Sequence, residues 1–297
     1  MNRDTHQLEG RFLLALALTG LILIAEVLGG LLTNSLALLS DAAHVLLDML
    51  ALGMSYVALR LASRPADDRH TYGYHRFEVL AALANGSLLF LMAVGIFREA
   101  WRRFQAPEAV LAAPMLAVAV IGLGVNLVVM RVLGDHDHSD LNVRSAWLHV
   151  LGDMLSSVGV IAAGIIILLT GWMLADPLVS VLIGCVILVG AGRVLRQAMH
   201  ILLEGTPEGL SAGQIAGIMR EAPGVSEVHD LHIWTVSPGY VALSAHVVVD
   251  DLSVSEAQRV QDGLRQILSG RFSIHHTTIQ MESANCGQGA LTCANGH

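Results

Sequence analysis

No lysine occurs among the 297 residues, and all 17 basic side chains are arginines. A Walker A loop needs a lysine to reach the phosphates of a nucleotide, so this chain holds no such nucleotide engine. Charge is scarce. Only 14% of residues are charged against 54% hydrophobic, with a mean hydropathy of +0.61. That balance excludes an ordinary soluble domain and indicates a polytopic membrane protein. Cysteine is scarce too. Cys185, Cys286 and Cys293 make a poor disulfide framework, and Cys185 falls in an apolar run where it reads as packing. The opening residues mix acidic and basic groups, and no small-residue cleavage site closes a short apolar region. The N-terminus therefore does not read as a cleavable signal.

Six apolar runs follow, at 12–32, 36–61, 78–100, 111–133, 144–169 and 177–195. Each is about long enough for a ~30 Å hydrocarbon core at 1.5 Å per residue. They predict a polytopic α-helical membrane domain of six transmembrane helices over 1–205. Six spans leave both termini on one side. Ends and connectors on that side carry ten arginines, and the other side carries Arg98, Arg102 and Arg103. The imbalance places both termini in the cytoplasm, with the second cluster snorkelling. The all-arginine chain and the lack of a targeting segment point to a bacterial inner membrane.

A soluble part starts near Thr206. The segment 211–221 reads as a helix, 225–234 and 240–249 as strands flanking a Ser-Pro-Gly turn, 253–269 as an amphipathic helix and 273–281 as a third strand. The order α-β-β-α-β predicts a small cytosolic α+β domain over 206–283, with helices on one face of a sheet. A polar, Gly-rich tail fills 284–297. From Glu204 onward there are ten Asp/Glu and four Arg, an acidic balance that argues against nucleic acid as partner and suits cations.

Two stretches inside the spans read alike. His44 and Asp48 lie four residues apart in the second span, and His149 and Asp153 match them in the fifth. That spacing puts each pair on one helix face. Ionisable groups at membrane depth are costly and usually face a partner or a water-filled cavity. If the two helices touch, two imidazoles and two carboxylates converge, a donor set that Zn2+ accepts as a tetrahedron. Two carboxylates and one Zn2+ sum to zero charge, which a low-dielectric interior requires. Protons are the natural replacement when the metal leaves, which makes the core of an antiporter. The other reading is a pair of His–Asp hydrogen bonds that lock helices together. Asp41 reads as a capping or pairing group and Glu26 as a pore-wall or helix-pairing group. A metalloprotease would need a motif such as His-Glu-x-x-His, which is absent. Nothing else points to an enzyme. A channel is opposed by four tight ligands. A membrane-anchored metal sensor without transport is the alternative, but it leaves the paired intramembrane sites without a purpose.

The paired His-x-x-x-Asp motifs in spans two and five of six, followed by an α+β domain, resemble the cation diffusion facilitator family. Ser40-Asp41-Ala42, Arg69-His70-Thr71-Tyr72-Gly73-Tyr74-His75-Arg76, Asp176-Pro177, His232-Ile233-Trp234 and Thr278-Ile279-Gln280-Met281-Glu282 extend the likeness over nearly the whole chain. The nearest look is to bacterial zinc/cadmium/cobalt efflux members and secretory-granule zinc transporters. The resemblance implies a homodimer, Zn2+/H+ antiport by alternating access, with Cd2+, Co2+ or Ni2+ as further substrates, and a ferredoxin-like, metallochaperone-like cytosolic domain that senses metal. It carries the intramembrane ligands onto His44, Asp48, His149 and Asp153. It also implies a cytosolic Zn2+ site of His229, His246, His275 and Glu282 with tail residues Cys286 and Cys293, His232 and His276 being flanking. Asp67 and His70 match a connector metal site of some relatives. Tyr74 stands at that site's next ligand position, and a gate held by hydrogen bonds is the other reading. Arg76 and Glu204 match a charge pair of some relatives. His136 and His138 either capture metal ahead of the pore or belong to a solvated turn.

Overall fold

The computed structural model describes residues 3–134, 141–284 and 291, with side chains over 17–131, 151–284 and 291. Six long helices come first: α1 (Arg3–Thr33), α2 (Leu36–Ala62), α3 (Arg76–Gln105), α4 (Ala112–Gly134), α5 (Leu141–Thr170) and α6 (Ala175–Leu202). Five of them hold stretches long and apolar enough to cross a membrane, and α1 adds a shorter apolar segment, Ala17–Thr33. The chain is a multi-pass membrane protein. Its helices turn their apolar side chains outward. On α1, Leu21, Ile24, Leu28 and Leu31 are exposed, while Ile22, Glu26, Gly29 and Thr33 are buried. That polarity is the reverse of a water-soluble helix, because lipid solvates apolar side chains and polar ones must find partners inside.

By its internal contacts the chain divides into two compact units, Met1–Met54 with Ala84–Arg193 and Ser55–Leu83 with Val194–His297, the cuts falling within α2, α3 and α6. In the first unit, small residues let helices approach. A Cβ on Gly164 of α5 would lie 2.7 Å from Leu116 Cγ of α4, and one on Gly184 of α6 would lie 3.0 Å from Phe97 Cε1 of α3. Ala93, Met115, Ala119, Val160, Ala163 and Ala191 form the buried centre of this unit.

The second unit contains α7 (Ala212–Arg220), β1 (Glu227–Ser237), β2 (Tyr240–Val248), α8 (Val254–Phe272) and β3 (His276–Glu282). The predicted order of elements is the observed one, and a small α+β layer results. The sheet order is β1-β2-β3, with β1 and β2 antiparallel and β2 and β3 parallel. Ile215 and Met219 of α7 and Leu264 and Leu268 of α8 pack with Val228, Ile233, Leu243, Ala245, Val247 and Ile279 of the strands. Strand side chains alternate between faces, so His246 and its register partner His229 project from the face opposite this core. Between His229 and His232 the register shifts, so that Asp230 and Leu231 oppose Ala245 alone. Asp230 takes a left-handed conformation, φ 47°, at this bulge.

Candidate metal centres

The intramembrane candidates meet as expected where their side chains are described. His44 Nε2 stands 3.6 Å from Asp48 Oδ2, one helical turn along α2. Asp153 of α5 joins them, with one ligand atom from each residue within 4.8 Å of the others. Two helices thus deliver an imidazole and two carboxylates to one point. His44, Gly152, Asp153 and Ser156 line a cavity of about 180 Å³, closed by Ile183, Val186 and Ile187 of α6. His149 lies on α5 one turn before Asp153, and its side chain falls outside the described residues. Glu26 and Asp41 are buried as well, at 2% and 3% exposure. Gly122 makes room for Glu26, since a Cβ there would lie 2.9 Å from its Oε1.

The cytosolic candidates divide. His229, His246 and Glu282 converge with ligand atoms within 4.8 Å of one another. Glu282 is the centre of the group. Its Oε1 lies 2.9 Å from His246 Nδ1, and its Oε2 lies 3.3 Å from His229 Nε2. Gln280 Nε2 donates to Glu282 Oε1 at 2.8 Å and orients it. His229 is 1% exposed, so the group is built into the sheet. Two imidazoles and one carboxylate at this spacing fit a Zn2+-type ion. Asp230 was missed by sequence reasoning. It lies 3.6 Å from His246 Nε2 and 3.0 Å from His232 Nε2, which makes it an orienting carboxylate behind His246. His232 pairs there and stays flanking, as expected.

The structure does not bring His275 to this group. His275 is exposed and precedes β3, whereas Glu282 ends it. Seven residues of extended chain separate them by about 23 Å. Cys286, Cys293, His136 and His138 lie outside the described residues.

At the connector, the Asp67 carboxylate is committed to a turn rather than to a ligand set. Its Oδ1 accepts from the backbone N–H groups of Arg69 and His70, and its Oδ2 accepts from Tyr74 Oη at 2.7 Å. The Tyr74 hydroxyl and those N–H groups hold the Asp67 carboxyl down at about 2. His70 Nδ1 is 3.4 Å from Asp67 Oδ1, but no third ligand completes a group among the described residues. The tyrosine at the expected ligand position explains this, because its hydroxyl occupies the carboxylate. The expected charge pair is present, with Arg76 Nη2 3.3 Å from Glu204 Oε1. A cleft of about 880 Å³ in this unit is lined by Arg76, Tyr72, Phe77, Ile233 and Trp234 among others.

Comparison with known proteins accounts for both parts. Residues 12–203 match the cation efflux transmembrane domain, and residues 207–284 match the cytoplasmic domain of cation efflux proteins. The chain belongs to the cation diffusion facilitator family of metal-cation efflux transporters. Family members are carriers, not enzymes. Among relatives, this chain is similar to the metal cation efflux system protein CzcD of Cupriavidus metallidurans, 46% identical over 93% of this chain and 87% of the relative. It is 43% identical to the "cadmium, cobalt and zinc/H(+)-K(+) antiporter" of Bacillus subtilis over 93% of this chain and 89% of that one. It is equally 43% identical to the zinc transporter ZitB of Pectobacterium atrosepticum over 93% and 86%.

Proposed function

We propose that the chain exports Zn2+ from the cytoplasm in exchange for H+, as a homodimer in a bacterial inner membrane with both termini cytoplasmic. The observation that carries the reading is the convergence of His44, Asp48 and Asp153 from two helices beside a small cavity. We assign His149 as the fourth ligand. Asp48 and Asp153 supply two negative charges, which one divalent cation neutralises. Imidazole and carboxylate donors suit Zn2+, and the names of relatives include zinc, cadmium and cobalt. When the cation leaves, protons on the same groups restore neutrality, and the same relative's name includes both H+ and K+ as counter-ions. Cd2+, Co2+ and Ni2+ are further substrates of such a donor set.

The cytosolic group of His229, His246 and Glu282 senses the metal, with Cys286 and Cys293 as further ligands from the tail. Orientation rests on arginine. Ten arginines on the cytoplasmic side face Arg98, Arg102 and Arg103 on the other, and Arg102 and Arg103 are offset there by Glu99, Glu108 and Asp176.

The test is Zn2+ uptake into sealed proteoliposomes under an imposed pH gradient, wild type beside Asp48→Ala. Gradient-dependent flux in wild type and its loss in the variant are expected. If wild type binds Zn2+ and moves none, the carrier reading falls and the sensor replaces it. Flux driven by a K+ gradient alone would overturn H+ as counter-ion.

A further inference from the structure

Arg103 does not snorkel. It is 5% exposed, and it belongs to a polar network that joins the α1–α2 turn, the α3–α4 loop and the start of α6 on the side away from the termini. The centre of the network is Asp176, fully buried at the start of α6. Its Oδ1 accepts from Ser35 Oγ at 2.6 Å and from the Ala37 N–H at 3.2 Å, and its Oδ2 accepts from the Leu36 N–H at 2.7 Å. Ser35 Oγ in turn accepts from the Leu38 N–H at 3.1 Å. The first N–H groups of α2 lack helical partners and must be satisfied. Here a carboxylate from another helix satisfies them, and a carboxylate suits the positive end of a helix dipole.

Arg103 completes the arrangement. Its Nη1 donates to Asn34 O at 2.6 Å and to Asp176 Oδ2 at 3.4 Å, and its Nη2 donates to Asn34 Oδ1 at 3.0 Å. Asn34 holds φ 57° at the turn between α1 and α2, and its Nδ2 donates to Glu108 Oε2 at 3.0 Å. The Leu111 N–H donates to Thr33 O at 3.0 Å. The α1–α2 turn, the end of α3, the α3–α4 loop and the start of α6 are therefore one bonded unit.

This unit bears directly on the cation group. His44 lies seven residues beyond Ala37, about 10.5 Å along α2, with neither Gly nor Pro between them to bend the helix. Ile183, which walls the cavity facing His44, lies the same seven residues beyond Asp176 on α6. α2 and α6 both start on this side. The cap consequently fixes the axial register of the ligand helix against the helix that closes its cavity. Removing the cap frees α2 to slide or tilt and carries both of its ligands with it.

We propose that Asp176, held by Arg103, is a positioning residue for transport: it sets the place of His44 and Asp48 opposite Asp153 without touching the cation. The proposal rests on the reading that these three residues hold the cargo.

The experiment compares Zn2+ uptake kinetics in proteoliposomes for wild type, Asp176→Asn and Ser35→Ala, with Asp48→Ala as the control for the cargo site. Asn cannot accept from all three donors and present a charge to Arg103. Supporting residues behind a metal site change affinity by about 10–100-fold. The expected result for Asp176→Asn is a KM for Zn2+ raised by that factor, with the maximal rate per folded protein close to wild type. Ser35→Ala, which removes one donor and leaves the charges intact, shifts KM in the same direction by less. A purely structural role lowers the amount of folded protein and leaves KM unmoved. Wild-type KM in Ser35→Ala, whether or not Asp176→Asn folds, overturns the proposal. So does a fall in maximal rate at constant KM. Wild-type vesicles that move no metal overturn the cargo reading and the positioning role together, whereas normal flux with unmoved KM overturns the positioning role alone.

Discussion

Glu282→Gln tests the cytosolic group most directly. The substitution keeps the shape of the side chain and leaves the backbone bond from the Val249 N–H to the Glu282 carbonyl, 2.8 Å, in place. It removes the only anionic donor of the three and the one that touches both histidines. An ion that binds only the folded form stabilises it by RT ln(1 + [L]/Kd), about 2.7 kcal/mol when free Zn2+ is 100 times Kd. The three ligands come from all three strands, so that increment appears in opening of the whole sheet. Amide hydrogen exchange of β1, β2 and β3 should slow about 100-fold on adding metal. If loss of the charge weakens binding about 100-fold, the same metal concentration supplies about 0.4 kcal/mol, a twofold effect. The measurement is hydrogen exchange of the full chain in detergent, with α4 peptides as an internal control. Full metal-dependent protection in the variant would refute the assignment of Glu282 as a ligand. Absence of protection in wild type would refute the site.

Other outcomes follow from packing and charge. Leu264→Ala empties a fully buried position between α8 and the sheet, and should cost about 2–5 kcal/mol in denaturant unfolding of this layer. Gly164→Ala places a methyl against Leu116, and overpacking of that kind should cost about 1–3 kcal/mol, read as a lower Tm in detergent. The Asp67 carboxyl is held at about 2, below its ordinary 3.8, so its contribution to the connector turn is complete above pH 3.8 and is lost as pH falls through 2. Tyr74→Phe removes the largest cause, and carboxyl NMR titration should find the Asp67 midpoint moved up towards 3.8. An unmoved midpoint would show that the backbone N–H groups alone hold it.

The spans were legible because a water-soluble fold of this size could not bury six apolar runs of that length. The α-β-β-α-β order was legible because period-2 alternation separates strands from the amphipathic helix at 253–269. Helix ends were less so. α3 continues to Gln105, past Arg102 and Arg103, because Glu99 and Glu108 neutralise those arginines. Four-residue spacing within α2 made His44 and Asp48 readable as a pair. The place of His275 was not readable, since where β3 starts is decided by its register against β2. Asp230 was hidden in the same way, because a bulge is set by tertiary pairing. The bond between Arg103 and Asp176 spans 73 residues of chain, and no local period records it. The one available hint was an arginine four residues after Glu99 at a span end, with an aspartate opening the last span.

The buried Asp176 carboxylate holds α2 at its start. From Ala37 to Met54, the last α2 residue of this unit, the helix runs about 26 Å, and His44 sits about two-fifths of the way along. A rod held at its start is a lever. A tilt that moves the imidazole by about 0.5 Å sweeps Met54 by about 1.2 Å, on the same geometry. Small adjustments around the candidate ligands are thus more than doubled by the time they reach Met54, while the capped end stays still.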